Sequence, residues 1–265
     1  MSLAQRFEAA RLDWLVPTWS APPHVHGFVT TRNDGNGRGL SMTLDLGPAH
    51  LSSLDDAARE TIVANRARVG GFLPSSPVWL EQVHGTAVAS VEARNVKAVR
   101  SRPPVADAVV TRLTDVPLAV RIADCLPVLL ADDAGIVVGA AHAGWRGLAA
   151  GVLEAIVAAM SVNPASLVAW LGPAIGPHAF EVGNDVRDAF GGHDAGALVH
   201  FVRAGEGKWM ADLPALARRR LAAANVTRVS GGDTCTWSDA TRFFSYRRDR
   251  TSGRMAAFVW RSAAG

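Results

Sequence analysis

Residues 118–159 read LAVRIADCLPVLLADDAGIVVGAAHAGWRGLAAGVLEAIVAA. A first apolar run closes at Asp124-Cys125, and a second covers 126–130. The tetrad Asp132-Asp133-Ala134-Gly135 is a turn, because Asp and Gly tolerate the backbone angles that turns require. A third apolar run closes at His142. The loop 143–147 then leads into a helix of small and apolar residues over 147–160, which the absence of a polar face marks as buried on most sides. Cys125 and His142, two groups able to ligate a soft metal or act as nucleophile and base, thus fall at the ends of buried strands. Strand ends hold a side chain in place while the adjoining loop stays open to substrate.

Working outward, strands are expected at 26–31, 78–80, 86–91, 106–111, 167–171, 226–230 and 255–260. Helices are expected at 6–12, at 54–69 capped by Ser52 or Ser53, at 182–190 and at 212–224. Strand–strand steps interrupt the alternation of helix and strand, so the fold class is mixed α/β, or α+β. Residues 1–23, with Pro17, Pro22 and Pro23, read as a loose lead-in to one domain over 24–261. The Gly-rich loop 33–39 lacks the order of a phosphate-binding loop and has no following Lys.

At 265 residues with 49% apolar content, the chain can bury roughly 70–75% of its unfolded surface in one large core. Charged residues make up 19%, too few for long disordered segments. The formal charge is only +3 and the arginines are scattered. A nucleic-acid stripe is therefore not expected, whereas small anionic substrates are compatible. Two cysteines do not make a disulfide framework. No secretory leader and no membrane span is legible, so a cytoplasmic protein without membrane partners is expected.

His84, Cys125 and His142 each follow or end an apolar stretch. Three protein ligands with a fourth position left open make a catalytic zinc site, and Cys/His₂ is one accepted donor set. Zinc lowers the pKa of bound water toward about 7. The same residues admit a nucleophilic reading, with Cys125 as thiolate, His142 or His84 as base and Asp124 or Asp107 as orienting carboxylate. The intervals between the three are far from zinc-finger spacing, and each alone is also compatible with an ordinary buried side chain. Arg146, beside Trp145 and ahead of a helix N-terminus, is an anion-binding candidate. Arg32 and the pair Arg247-Arg248 are others. Trp145 and Phe180 could stack on a planar base. Cys235 sits in a loop that could approach the site.

The segments HGFVTTR (26–32), DAARETIVANRARV (56–69), QVHG (82–85), ADAVVT (106–111), ADCLPVLL (123–130), AHAGWRG (141–147), GPAIGPHAFEVG (172–183) and DTCTWSDATRFFSYRRDRTSGRMA (233–256) resemble those of one family. These are the laccase-domain, or YfiH/YlmD-like, proteins, also called multicopper polyphenol oxidoreductase-like or peptidoglycan editing factor proteins. The resemblance implies a single compact laccase-like catalytic domain of layered sheets flanked by helices. It implies one zinc per chain on His84, Cys125 and His142, with copper the weaker alternative. It also implies purine nucleoside phosphorolysis (adenosine, inosine, methylthioadenosine) and adenosine deamination. The implied partners are purine nucleosides and phosphate, on a monomer or weak homodimer. The alternatives are a cysteine hydrolase or amidase acting on peptidoglycan precursors through Cys125 and His142, and the polyphenol oxidoreductase of the family's first label. Eight histidines, with the lone pair His24-Val25-His26, are few for four coppers. The chain departs from the family at Asp45, where an Asn is usual, and at Phe180, where a Tyr is usual. Arg32, Asp45, Arg146 and Phe180 are the expected substrate-binding residues, and the departure at Asp45 bears on nucleoside preference and phosphate affinity.

Overall fold

The hairpin in the quoted stretch is the centre of the molecule. A computed structural model describes residues 1–33, 44–250 and 253–263. In chain order its elements are α1 (Leu3–Ala9), β1 (Val25–Val29), α2 (Asp56–Gly70), β2 (Val88–Val91), α3 (Val96–Ser101), β3 (Ala108–Thr111), β4 (Leu118–Ile122), β5 (Leu126–Asp132) and β6 (Val138–Ala143). They continue as α4 (Trp145–Ala150), α5 (Val152–Met160), β7 (Leu167–Leu171), β8 (Glu181–Gly183), α6 (Asn184–Gly191), β9 (Phe201–Gly205) and β10 (Lys208–Ala211). The last are α7 (Leu213–Ala223), β11 (Arg228–Gly231), α8 (Tyr246–Asp249) and β12 (Met255–Arg261).

β5 and β6 pair antiparallel at the middle of a mixed six-stranded sheet of order β11-β7-β5-β6-β3-β2. Asp132 closes the hairpin by accepting the N–H groups of Ile136 and Val137, each at 2.8 Å. Both strands are buried throughout, and that explains their unbroken apolar runs: a strand covered on both faces has no polar alternation to show. On β5, Leu126, Val128 and Leu130 join the cluster under α5 and α7. Leu129 and Ala131 face the opposite way, into a cluster shared with β4 and β12.

That second cluster glues the large sheet to a three-stranded antiparallel sheet, β1-β12-β4. The outer face of the small sheet carries an aromatic layer of Phe7, Trp14, Phe28, Phe258 and Trp260. Trp14 stacks on Phe28 with ring centroids 5.3 Å apart and planes 4° from parallel. Helices, six strands, three strands and the N-terminal segment thus form successive layers around three apolar clusters.

Several expectations need correction. The first 23 residues are not loose, because Phe7, Leu12 and Trp14 are buried in the aromatic layer and Ser2 caps α1 with a complete capping box. The helix expected over 147–160 is two helices, broken at Gly151, whose φ of 103° no α-helix accepts. The cap of α2 is Asp55, which accepts the Ala58 N–H at 2.8 Å, and not Ser52 or Ser53, which lie in a preceding 3₁₀ turn. Residues 78–80 supply only the isolated bridge of Val78 to Leu118. Residues 181–183 form a strand ahead of α6, part of a third sheet, β8-β10-β9, that pattern alone does not indicate. Asp212 does cap α7, through the Ala215 N–H at 2.9 Å. Loop 33–39 lies outside the described residues beyond Asn33. Among the described residues no helix is long and apolar enough to cross a membrane.

Candidate metal centre

His142 closes β6, Cys125 immediately precedes β5, and His84 lies on the loop before β2. Pairing of Pro127 with His142 sets the first two side by side. One ligating atom from each of His84, Cys125 and His142 can be chosen so that all three lie within 4.8 Å of one another. Cys125 Sγ is 3.7 Å from His84 Nε2, and the two imidazoles meet edge to face with centroids 4.8 Å apart.

Asp107, fully buried at the start of β3, organises this group. Its carboxylate accepts the N–H groups of Val83 (3.1 Å), His84 (2.9 Å) and Gly85 (2.7 Å), and pairs with His142 Nδ1 at 2.8 Å. The three amides wrap the loop around one carboxylate and hold His84 at φ 61°, a strained angle for a side chain with Cβ. The bond to Nδ1 leaves His142 Nε2 to face the sulfur and presets the tautomer that a metal needs. With four donors already on it, Asp107 has no capacity left to serve as a proton donor.

The charges follow from this geometry. Burial pushes the Cys125 thiol up, but His142 and His84 outweigh burial and bring it to about 6. Burial lowers His142, yet the Cys125 sulfur and Asp107 raise it to about 9. Burial also raises the Asp107 carboxyl, but His142 and the amides of Gly85 and Val83 hold it below the usual carboxylate range. Without a metal, then, Cys125 and His142 favour one another's charged forms.

Glycines make the approach possible. A Cβ on Gly144 would stand 2.8 Å from His84 Cδ2 and 3.0 Å from Cys125 Sγ, and one on Gly147 would stand 2.8 Å from the Gly85 carbonyl oxygen. A donor set of two nitrogens and one sulfur, drawn this tightly and with one His held by a carboxylate, fits zinc. Among the described residues no second group of three such ligands occurs.

The three side chains open into a cavity of about 800 Å³. Arg146 and Phe180 line it; Arg32 and Asp45 are not among its lining residues. Arg146 lies in the first turn of α4, not in a loop before a helix, and its guanidinium stacks on Trp145 at 4.4 Å. Arg32 donates to the Ala240 carbonyl and lies over the Phe244 ring. Asp45 accepts the N–H groups of Gly47 and Arg254 at 2.8 and 2.7 Å. Asp124 does not orient either histidine: its carboxylate accepts Thr236 Oγ1, Ser245 Oγ and the Arg247 N–H, pinning the C-terminal loops beside Cys125. Cys235 accepts the Gly176 N–H in a separate cavity of about 460 Å³. Of the basic pair, Arg247 lines the main cavity, while Arg248 donates to three carbonyls and to Asp249.

Sequence reading misses Gln82, Arg121, Lys208, Tyr246, Arg250 and Arg254, all of which line the cavity. Only Arg121 carries a signal, as the single charge inside the apolar run of β4.

The profile of the multi-copper polyphenol oxidoreductase laccase family matches residues 26–262. The chain is 47% identical over 248 residues to the purine nucleoside phosphorylase YfiH of Escherichia coli K12, covering 93% of this chain and 98% of that protein. It is 49% identical, with the same two coverages, to the purine nucleoside phosphorylase PA4543 of Pseudomonas aeruginosa. Among solved structures, Neisseria meningitidis protein NMB0706 superposes with a TM-score of 0.83 at 44% identity, over 95% of this chain and all of that one. YlmD from Geobacillus stearothermophilus superposes with a TM-score of 0.77 at 30% identity, over 91% of this chain and 93% of that one. A match of this extent in sequence and in fold decides the matter: this chain belongs to the YfiH/YlmD-like, laccase-domain family.

Proposed function

We propose that the protein is a zinc-dependent purine nucleoside phosphorylase that also deaminates adenosine, with adenosine, inosine and methylthioadenosine as substrates. One observation carries the reading: the His84, Cys125 and His142 group opening into a cavity large enough for a nucleoside and rich in guanidinium groups. The relatives called purine nucleoside phosphorylases support it. Bound by these three residues, zinc would act as a Lewis acid at the cavity floor. The chain's own groups do the rest. Phe180 offers an apolar face to the purine, the arginines hold the anion, and Asp107 keeps His142 oriented. In phosphorolysis a phosphate oxygen bonds to ribose C1 while the C1–N9 bond breaks, and its electron pair leaves with the purine. The proton carried by hydrogen phosphate ends on the base, directly or through water or Glu181.

Zinc-loaded protein incubated with inosine and phosphate is expected to release hypoxanthine and ribose 1-phosphate, and with adenosine alone to release inosine and ammonia. Absence of all four products would remove the proposal.

A second reading has its own support. Cys125 and His142 stabilise one another's charged forms, as a cysteine nucleophile and its base do. Iodoacetamide separates the two. On the phosphorylase reading, Cys125 alkylates in metal-free protein with a midpoint near pH 6, the thiolate being lost below it, and is protected once zinc is loaded. Fast alkylation of zinc-loaded protein would favour the hydrolase. The name of the family profile keeps a copper oxidase in view; one candidate ligand group among the described residues, with its sulfur donor, favours one zinc per chain over a set of coppers.

A further inference from the structure

Arg121 is a costly residue where it stands. It is the lone charge in β4, whose other four side chains are buried. Its guanidinium donates to the carbonyls of Gly47 and Leu80, at 3.3 and 3.2 Å, and its Nε has no partner. Among the described residues no carboxylate lies within ion-pair distance of it, although Asp45 and Glu81 act on it from further away. Arg66 and Arg254 add like charge nearby, so burial and its neighbours bring its pKa down to about 10, which still leaves it charged at neutral pH. Arg121 is half-buried, and a cation drawn away from water normally has a charged partner. Arg121 and Arg254 both line the cavity wall.

The backbone of Arg121 is tied to the loop that carries His84. Gln82 grips its backbone twice, donating from Nε2 to the Arg121 carbonyl at 2.9 Å and accepting the Arg121 N–H at 2.8 Å on Oε1. Gln82 belongs to the same short loop as His84, and β4, which carries Arg121, ends at Ile122 shortly before Cys125. One frame therefore ties the Arg121 backbone to the loop that carries His84, as a site that must hold two reactants at a fixed separation requires.

We infer that Arg121 is the phosphate-binding residue of the cavity, with Arg254 on the same wall, and that it holds the inorganic phosphate that attacks the nucleoside. The inference deepens the phosphorylase reading and rests on it for the identity of the anion as co-substrate. Asp45, behind the arginines, lowers the affinity of the subsite for phosphate by offsetting part of their charge.

The kinetic test uses the full chain loaded with zinc. Arg121→Gln is expected to raise the KM for phosphate by about 10–100-fold, the loss of a charge-assisted hydrogen bond, while the KM for inosine changes less than twofold and zinc content stays the same. Arg121→Lys recovers part of the loss, since the charge returns without the fork. Asp45→Asn, which keeps an acceptor for the Arg254 and Gly47 amides, lowers the KM for phosphate severalfold. Calorimetric titration of metal-free protein with inorganic phosphate gives a readout that does not depend on turnover: binding is present in the parent protein and lost in Arg121→Gln. Equal phosphate binding in both proteins, or a loss of activity carried by kcat or zinc content alone, overturns the inference. Phosphate binding that needs Arg121 in a protein with no phosphorolysis would keep the anion subsite and remove the phosphorylase reading. Tighter Arg121-dependent binding of adenosine 5′-monophosphate than of phosphate would overturn the co-substrate assignment, making the subsite one for a phosphate carried by the substrate itself.

Discussion

The floor of the cavity and its cationic wall are built in opposite ways. The floor is assembled from strand ends around one buried carboxylate, Asp107, which is satisfied by three amides and an imidazole. The wall carries several guanidinium groups, among them that of Arg121, whose partners among the described residues are two carbonyls. A saturated buried charge fixes geometry, whereas an under-compensated one stores attraction for something still to arrive. Changes on the floor should therefore act on folding and metal together, and changes on the wall on substrate affinity alone.

The largest effect is expected at the floor. Asp107→Ala strips the partners from His142 and from three amides at once. Zinc affinity should fall by at least the 10–100-fold typical of losing such a supporting carboxylate. Thermal unfolding should also show a loss of several kcal/mol from buried donors left unpaired. Competition with a chelator measures the first quantity; an unchanged zinc affinity would mean that His142 is oriented by something else. Gly144→Ala comes next. Its Cβ would collide with two of the ligands, so bound zinc should drop well below one per chain in a protein that still melts cooperatively. Retention of full zinc would show that the floor can yield where it is held to be rigid.

Gln82→Ala sits on the boundary between the regions. It removes both contacts that tie Arg121 to the His84 loop, at about 1–3 kcal/mol of stability. Steady-state kinetics should show a higher phosphate KM with zinc content intact. Loss of zinc instead would place Gln82 with the floor. Arg146→Ala should have the smallest effect, a few-fold at most in phosphate KM, because Arg146 is exposed and stacked on Trp145.

The same contrast explains what the sequence discloses. Floor residues lie at the ends of continuous apolar runs, so His142 and Cys125 stand out in the sequence itself. The β5–β6 hairpin and β7 are legible for the same reason, since strands buried on both faces write unbroken apolar text. Apart from Arg121, wall residues come from segments without periodicity: α8 is a single turn, and Arg250 and Arg254 flank two residues that lie outside the described set. Scattered arginines read as solvated surface until tertiary structure gathers them. By sequence Arg32 is equally suited to anion binding, but the fold turns its guanidinium to the Ala240 carbonyl and the Phe244 ring. The break at Gly151 is not legible, because a glycine between apolar helical residues is compatible with a continuous helix and only the backbone angle decides. Asp107 and Asp124 are equal candidates for the orienting role by sequence; pairing across β3 and β6 puts Asp107 beside His142 and sends Asp124 to the C-terminal loops.

The central claim is that three side chains distant in sequence close around one zinc ion. X-ray absorption at the zinc edge, on protein purified without an affinity tag and loaded with one equivalent, measures this directly. The account requires one sulfur at about 2.3 Å and two imidazole nitrogens at about 2.0–2.1 Å, with the sulfur contribution absent in Cys125→Ser. A zinc shell of oxygen and nitrogen only, or one unchanged by Cys125→Ser, would contradict it.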